Sequence, residues 1–189
     1  MRSPGAAKDP HGDWRERARC VIIFSHMCSA WALAEWKGCM YLTRTVIVGG
    51  GPAGMSAAIA AARRGESVLL LERLDRVGKK LLATGNGRCN LMNRSAPAYP
   101  GGTAFARQVL ASCGIQELEA FFHTLGLRLR TEDMGRVYPA SGQAAPVLDA
   151  LRLGLSRSGV ELCPASPVSA ITPSGRGFSL AVRRSVFNI

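Results

Sequence analysis

The stretch TVIVGGGPAGMSAAIAAARRGESVLLLE, Thr45 to Glu72, decides the fold. It opens on a β-branched run, Thr45 to Val48, which suits a strand. Gly49-Gly50-Gly51-Pro52-Ala53-Gly54 interrupts that run and fits G-x-G-x-x-G. Ala53 to Arg64 is an alanine-rich helical stretch that Gly65 stops. Ser67 to Leu71 is a second apolar strand, closed by Glu72. Strand, helix and strand in that order make a β-α-β unit, whose handedness implies a parallel sheet.

Each glycine has a physical task. Gly49 makes the tight turn off the strand, Gly51 lets backbone approach a pyrophosphate, and Gly54 lets helix and strand pack closely. A diphosphate is then expected on the amides that Pro52 and Ala53 lead into, where the helix dipole favours negative charge. Glu72 stands about twenty residues on, at the distance of the carboxylate that takes both ribose hydroxyls. Its charge repels a 2′-phosphate, which disfavours NADP in this unit. FAD and NAD carry the same ADP half, so the unit alone does not separate them.

Further along, Ile115, Leu118, Phe122 and Leu125 fall on one helical face with Gly126 as the stop. Pro146 suits a first helical turn, and Val147, Leu148, Leu151 and Leu155 supply a second apolar stripe ending near Gly159. Short strands are expected at Val160 to Cys163, Val168 to Thr172 and Phe178 to Val182. The last two are separated by the turn signal Pro173-Ser174-Gly175.

The whole chain has 189 residues, 47% of them hydrophobic, enough for one domain or a piece of a larger one. Its formal charge of +11 raises nucleic acid as a partner. The basic residues are scattered as singles and doublets without aromatic interleaving, so direct nucleic-acid recognition is not favoured. Six cysteines without a C-x-x-C pair point to reduced thiols and to neither a disulfide framework nor a metal site. Residues 1–42 form a poorly patterned leader. The apolar run from Cys20 to Ala34 is too short to span a bilayer, although Ala32-Leu33-Ala34 resembles a signal-peptide cleavage site. The preferred reading is a natural start at Met40 and a cytoplasmic protein.

Glu72-Arg73, the following GKKLLATGNGRCNLMN (Gly78 to Asn93) and FFHTLGLRLRTEDMGRVYPASGQA (Phe121 to Ala144) closely resemble the hallmark of a bacterial family of FAD-dependent flavoproteins. That family is described as aminoacetone-oxidase-like or as NAD(P)/FAD-dependent oxidoreductases, with one relative associated with bile-acid dehydroxylation. The resemblance runs from about Thr43 to about Val182. It implies an α/β fold: a Rossmann-like parallel-sheet FAD-binding domain over residues 43–189, with a small antiparallel segment near the C-terminus. It also implies kinship with the glutathione-reductase-like flavoproteins without their redox disulfide, and this sequence likewise lacks a C-x4-C pair. Family members are longer, with an inserted substrate domain and a second flavin-contacting glycine motif toward the C-terminus. The domain here is therefore expected to be incomplete, with an exposed sheet edge and part of an apolar face uncovered.

FAD is the cofactor that the resemblance implies, and the residues admit it. Arg73, Lys79 and Lys80 lie on the path after the second strand, where the lysines neutralise diphosphate charge; Gly85 and Gly87 allow backbone to lie flat against the cofactor. Arg88 and Asn90 can donate to phosphate, ribityl or ring oxygens, the alternative for Arg88 being an intraprotein salt bridge or a helix cap. Cys89 is read as a packing residue, since a redox thiol needs a resolving partner. By resemblance Val168 stands beside adenine, to which extended backbone offers an N–H and a C=O; the plainer reading is a core valine. Tyr138 either faces the flavin or seals the core. His11, His26 and His123 form no catalytic set, and no catalytic residue is named.

The leading function is the N-terminal, FAD-binding half of a flavin-dependent oxidoreductase that passes hydride between a small-molecule substrate, with NAD(P)H as a candidate donor, and FAD. A non-catalytic truncated product and an RNA-interacting flavoprotein of the tRNA-modification type are the alternatives. Oligomeric state is not legible.

Overall fold

The computed structural model describes residues 19–21, 45–95, 103–174 and 177–182. In chain order the strands and helices are β1 (Arg19–Val21), β2 (Thr45–Val48), α1 (Pro52–Arg63), β3 (Val68–Leu71), β4 (Met92–Asn93), α2 (Thr103–Ser112) and α3 (Ile115–Thr124). They continue with β5 (Leu129–Thr131), β6 (Arg136–Pro139), α4 (Ala145–Arg157), β7 (Glu161–Cys163), β8 (Val168–Ser174) and β9 (Gly177–Val182).

The expected β-α-β unit is β2, α1 and β3, and its strands pair in parallel, Thr45 with Val68 through Val48 with Leu71. β7 joins the far side of β3 in parallel, and β1 joins β2, giving the order β1-β2-β3-β7. The strand within the leader was not foreseen. Ala32-Leu33-Ala34, Met40, His11, His26 and Gly175 lie outside the described residues.

β3 reads VLLL, and all four residues are buried, because the sheet is covered on both faces. On one face Ile47, Val68 and Leu70 meet Met55, Ala58 and Ile59 of α1 and Val147, Leu148, Leu151 and Leu155 of α4. Burying such aliphatic side chains stabilises the fold by roughly 1.5–3 kcal/mol each. Gly154 lets the helices meet: a Cβ there would stand 2.8 Å from Ile59 Cδ1 and from Leu125 Cδ2. On the other face Val46, Leu69 and Leu71 are capped by Val168, Leu180 and Val182 of the antiparallel β8–β9 hairpin. That hairpin is the small antiparallel segment expected near the C-terminus.

A second antiparallel sheet, ordered β4-β6-β5, was not expected. It holds the segment after the Gly85–Asn90 loop against the Arg136–Pro139 run, with Met92 opposite Val137 and Arg130 opposite Tyr138. α2 was also unforeseen. α3 and α4 follow the apolar stripes, and Gly126 and Gly159 just beyond them take φ +81° and +69°. Between α1 and β2 a groove of about 300 Å³ is lined by Thr45, Ile47, Ala57, Ala60, Ala61, Arg64 and Glu66.

Candidate functional site

The glycine loop leaves the carboxyl end of β2, where ligands of open parallel sheets bind. Gly49 takes φ +106°, and its N–H donates to the Leu71 carbonyl at 2.7 Å, so the turn is tied to the end of β3. Gly54 is buried, and a Cβ on it would stand 1.9 Å from the Gly49 carbonyl oxygen, so only glycine permits this helix-strand approach. Gly51 is the N-cap of α1, and a Cβ there meets no atom within 4 Å. The first turn beyond it, with Pro52 at its start and Ala53 exposed, carries no acidic residue and no side-chain cap. A positive helix end that opens onto free space is the cradle a diphosphate requires.

The close contact that the sequence did not signal is at Gly50. A Cβ there would stand 2.4 Å from Val77 Cγ1 and 3.1 Å from Glu72 Oε2. The loop is thereby clasped by the segment after β3, with the Gly78 N–H donating to the Gly50 carbonyl at 2.8 Å. Glu72 is buried, 8% exposed, and its carboxylate is held twice. Oε2 accepts from the Gly50 N–H at 2.6 Å and Oε1 from the Leu74 N–H at 2.8 Å. A carboxylate offers about four acceptor sites, so two donors leave capacity for ribose hydroxyls.

Beyond Glu72 the chain carries Arg73, Lys79 and Lys80, all exposed, then a short 3₁₀ turn, Leu81–Ala83. The loop that follows is left-handed at four of five successive positions: Gly85, Asn86, Gly87 and Cys89 have φ of +57°, +54°, +80° and +58°. Asn86 and Cys89 are not glycines, so the loop holds a conformation that ordinary residues resist. Asn90 is exposed at its end. Cys89 is buried, and burial pushes its thiol pKa up, against a smaller lowering by the hydrogen bond with Thr84. That is the environment of the packing residue the sequence suggested.

Arg88 stands as the intraprotein alternative had it. Its guanidinium pairs with Glu132 and lies 4.2 Å from the centre of the Tyr138 ring. Tyr138 is 6% exposed beneath it, sealing the core. Glu132, which belongs to the family-like run but to which the sequence assigned no role, also receives Arg130 at 2.7 Å. The Arg88 hydrogen bond is the main cause holding its carboxyl below the usual carboxylate range. The Val168 side chain packs on the Val46, Leu69 and Leu71 cluster. His123 is exposed on α3. Among the described residues no cluster of His, Cys, Asp or Glu could hold a metal, and no helix is long and apolar enough to cross a membrane. The groove beside α1 begins at Thr45, the opposite end of β2 from the glycine loop, and belongs to no part of this site.

A parallel sheet with a glycine loop at its switch into α1, an open helix end and an acidic residue closing the next strand define a dinucleotide-binding Rossmann domain. Residues 43–187 match the HI0933-like protein Rossmann domain, and the chain belongs to that family, the FAD-binding domain of flavin-dependent oxidoreductases. It is similar to the 3-dehydro-bile acid delta(4,6)-reductase of Clostridium scindens, 45% identical over 142 residues, covering 72% of this chain and 34% of the relative. A ribosomal RNA dihydrouridine synthase of Haemophilus influenzae is 24% identical over 132 residues, covering 68% of this chain and 33% of that protein. Among solved structures, the 3-ketosteroid-delta4-(5alpha)-dehydrogenase of Rhodococcus jostii RHA1, in complex with 4-androstene-3,17-dione, shares the fold. Its TM-score is 0.57 at 16% identity, over 74% of this chain and 41% of that one. The chain spans about a third of the length of these two curated relatives.

Proposed function

We propose that this chain binds the ADP half of FAD and forms part of an oxidoreductase acting on a small fused-ring ketone of the bile-acid or steroid type. The observation that carries the cofactor reading is the pairing of open space at Gly51 with the Glu72 carboxylate at Gly50. The helix end and Gly49 to Gly54 would hold the diphosphate, Glu72 the ribose, and the exposed lysines Lys79 and Lys80 the remaining phosphate charge. Gly85, Gly87 and Asn90 would run along the flavin side, and the Val168 backbone would meet adenine. When bound, FAD supplies the hydride chemistry; the protein's part is binding, orientation and exclusion of competing reactions. The substrate class rests on similarity to the bile-acid reductase at 45% identity. NAD(P)H is the proposed electron donor.

The test is FAD titration of the purified chain, read by flavin fluorescence and thermal shift, with Glu72→Ala as control. A ligand that binds only the folded state must raise its melting temperature. Saturable stabilisation that Glu72→Ala loses supports the reading. A folded chain that FAD leaves unchanged overturns it. A second reading, an RNA-modifying flavoprotein, is supported by similarity to the ribosomal RNA dihydrouridine synthase, whereas the scattered basic residues give it little local support.

A further inference from the structure

We propose that Glu132 is the positioning residue of the Gly85–Asn90 loop, holding Arg88 over Tyr138 and so fixing the left-handed backbone that the cofactor is to meet. The inference rests on the FAD reading for its purpose but not for its geometry. Asn86 and Cys89 sit at φ +54° and +58°, a left-handed conformation that is unfavourable for residues other than glycine and that surrounding structure must offset. Backbone bonds strap the loop on both sides: the Ala144 N–H donates to the Gly87 carbonyl at 2.8 Å, and the Leu91 N–H to the Val137 carbonyl at 2.9 Å. Between those straps the backbone is held from within by the buried Cys89 and from without by Arg88.

Arg88 can anchor the loop only if something fixes its guanidinium. Tyr138 supplies a flat surface 4.2 Å below it, and Glu132 supplies the directional bond. The same Glu132 oxygen accepts from Arg130 at 2.7 Å, and Arg130 lies opposite Tyr138 in the β5–β6 ladder. Glu132 is itself fixed by its own N–H, which donates to the Arg136 carbonyl at 2.7 Å. The small antiparallel sheet thereby acts as a rigid mount, and Glu132 joins it to the loop without lying in it. Arg88, with its charge engaged by Glu132, is a structural cation here, which leaves phosphate charge to the exposed lysines.

The experiment compares the full chain with Glu132→Gln, Arg88→Met and the double variant. Alkylation of Cys89 by iodoacetamide is followed by peptide mapping, with Cys163 in β7 as the internal reference. FAD affinity and the visible circular dichroism of bound flavin are measured in parallel. The expected result is Cys89 alkylation about tenfold faster in each single variant at an unchanged Cys163 rate, the scale of one charge-assisted hydrogen bond. The double variant should show no further rise, the coupling that marks two residues acting as one. FAD should bind more weakly, with an altered dichroism band. Unchanged Cys89 protection in Glu132→Gln overturns the proposal, and so does a Cys163 rate that rises in step, since that reports opening of the whole domain. A wild-type chain that binds no FAD would sink the cofactor reading, while the alkylation rates still decide the Glu132 link.

Discussion

Glu72 and Gly50, 22 residues apart in sequence, are joined at 2.6 Å by a hydrogen bond from the Gly50 N–H to the Glu72 carboxylate. The residue expected to hold ribose therefore also fixes the shape of the glycine loop. Glu72→Ala should lower stability by about 2 kcal/mol, because a buried N–H loses a charged acceptor. Glu72→Gln, which keeps a carbonyl acceptor, should lose less, yet both should weaken FAD binding. Denaturant melts and FAD titrations on the pair check this. A Glu72→Ala chain as stable as wild type would mean that the hydrogen bond contributes nothing.

Gly51 and Gly54 belong to one motif but should respond oppositely to a methyl group. At Gly54 the new Cβ would stand 1.9 Å from backbone oxygen, and Gly54→Ala should cost about 3 kcal/mol or more through forced separation of α1 from β2. At Gly51 the space is open, so Gly51→Ala should leave stability within about 0.5 kcal/mol while reducing FAD affinity. Equal destabilisation by the two variants would contradict the geometry. Unimpaired FAD binding by Gly51→Ala would remove the diphosphate from that space.

Cys89 and Cys113 should part company in thiol chemistry. Cys113 is exposed, whereas burial raises the Cys89 pKa, so Cys89 should alkylate at least about tenfold more slowly at neutral pH. A pKa raised on folding contributes stability that is fully present below the unfolded value, about 8.5, and is lost as pH rises through the folded one. Stability should therefore decline on the alkaline side, and Cys89→Ala should flatten that part of the pH profile. Equal alkylation rates for the two thiols would refute the assignment.

The reach of the sequence follows from how each element is specified. β2, α1 and β3 were legible because periodicity, glycine and the terminal Glu72 all agree within one continuous stretch. β4 has only Met92 and Asn93, β5 three residues, and β6 contains Arg136 and Pro139. β4 and β6 carry no period-two pattern, and β5 only ends the short alternation Leu127-Arg128-Leu129-Arg130, so each is a strand chiefly because its neighbours pair with it. The same distance in sequence hid Glu132 from Arg88: a loop arginine in a phosphate-binding setting advertises its charge, not the partner 44 residues on that engages it. Val168 illustrates the converse. Its strand was legible, but which face its side chain covers depended on the sheet beneath.

Val168 separates side-chain from backbone function. Its side chain packs against Val46, Leu69 and Leu71, so Val168→Ala should cost about 1 kcal/mol by thinning the cover on that face. If adenine is met by backbone alone, FAD affinity should stay within about twofold of wild type under conditions where both are folded. A large loss of affinity with unchanged stability would show that the side chain itself contacts the cofactor.

The RNA reading can be decided by salt. The formal charge of +11 would favour a polyanion if it formed a continuous surface. Around the small antiparallel sheet, however, Arg88 and Arg130 share Glu132, and Arg94 pairs with Glu119. Part of the positive charge is thus cancelled where a loop and a sheet would offer a groove. Binding of a ribosomal RNA fragment, measured by fluorescence anisotropy, should be weak at low salt and vanish near physiological ionic strength. Competition by unrelated RNA should be complete, since scattered arginines hold phosphate without reading bases. Tight binding that survives such competition, with a steep salt slope reporting many neutralised phosphates, would shift the function from a small fused-ring substrate to RNA. Neither outcome decides the proposed FAD site, which rests on the Gly51 and Glu72 geometry and is tested by the FAD titration alone.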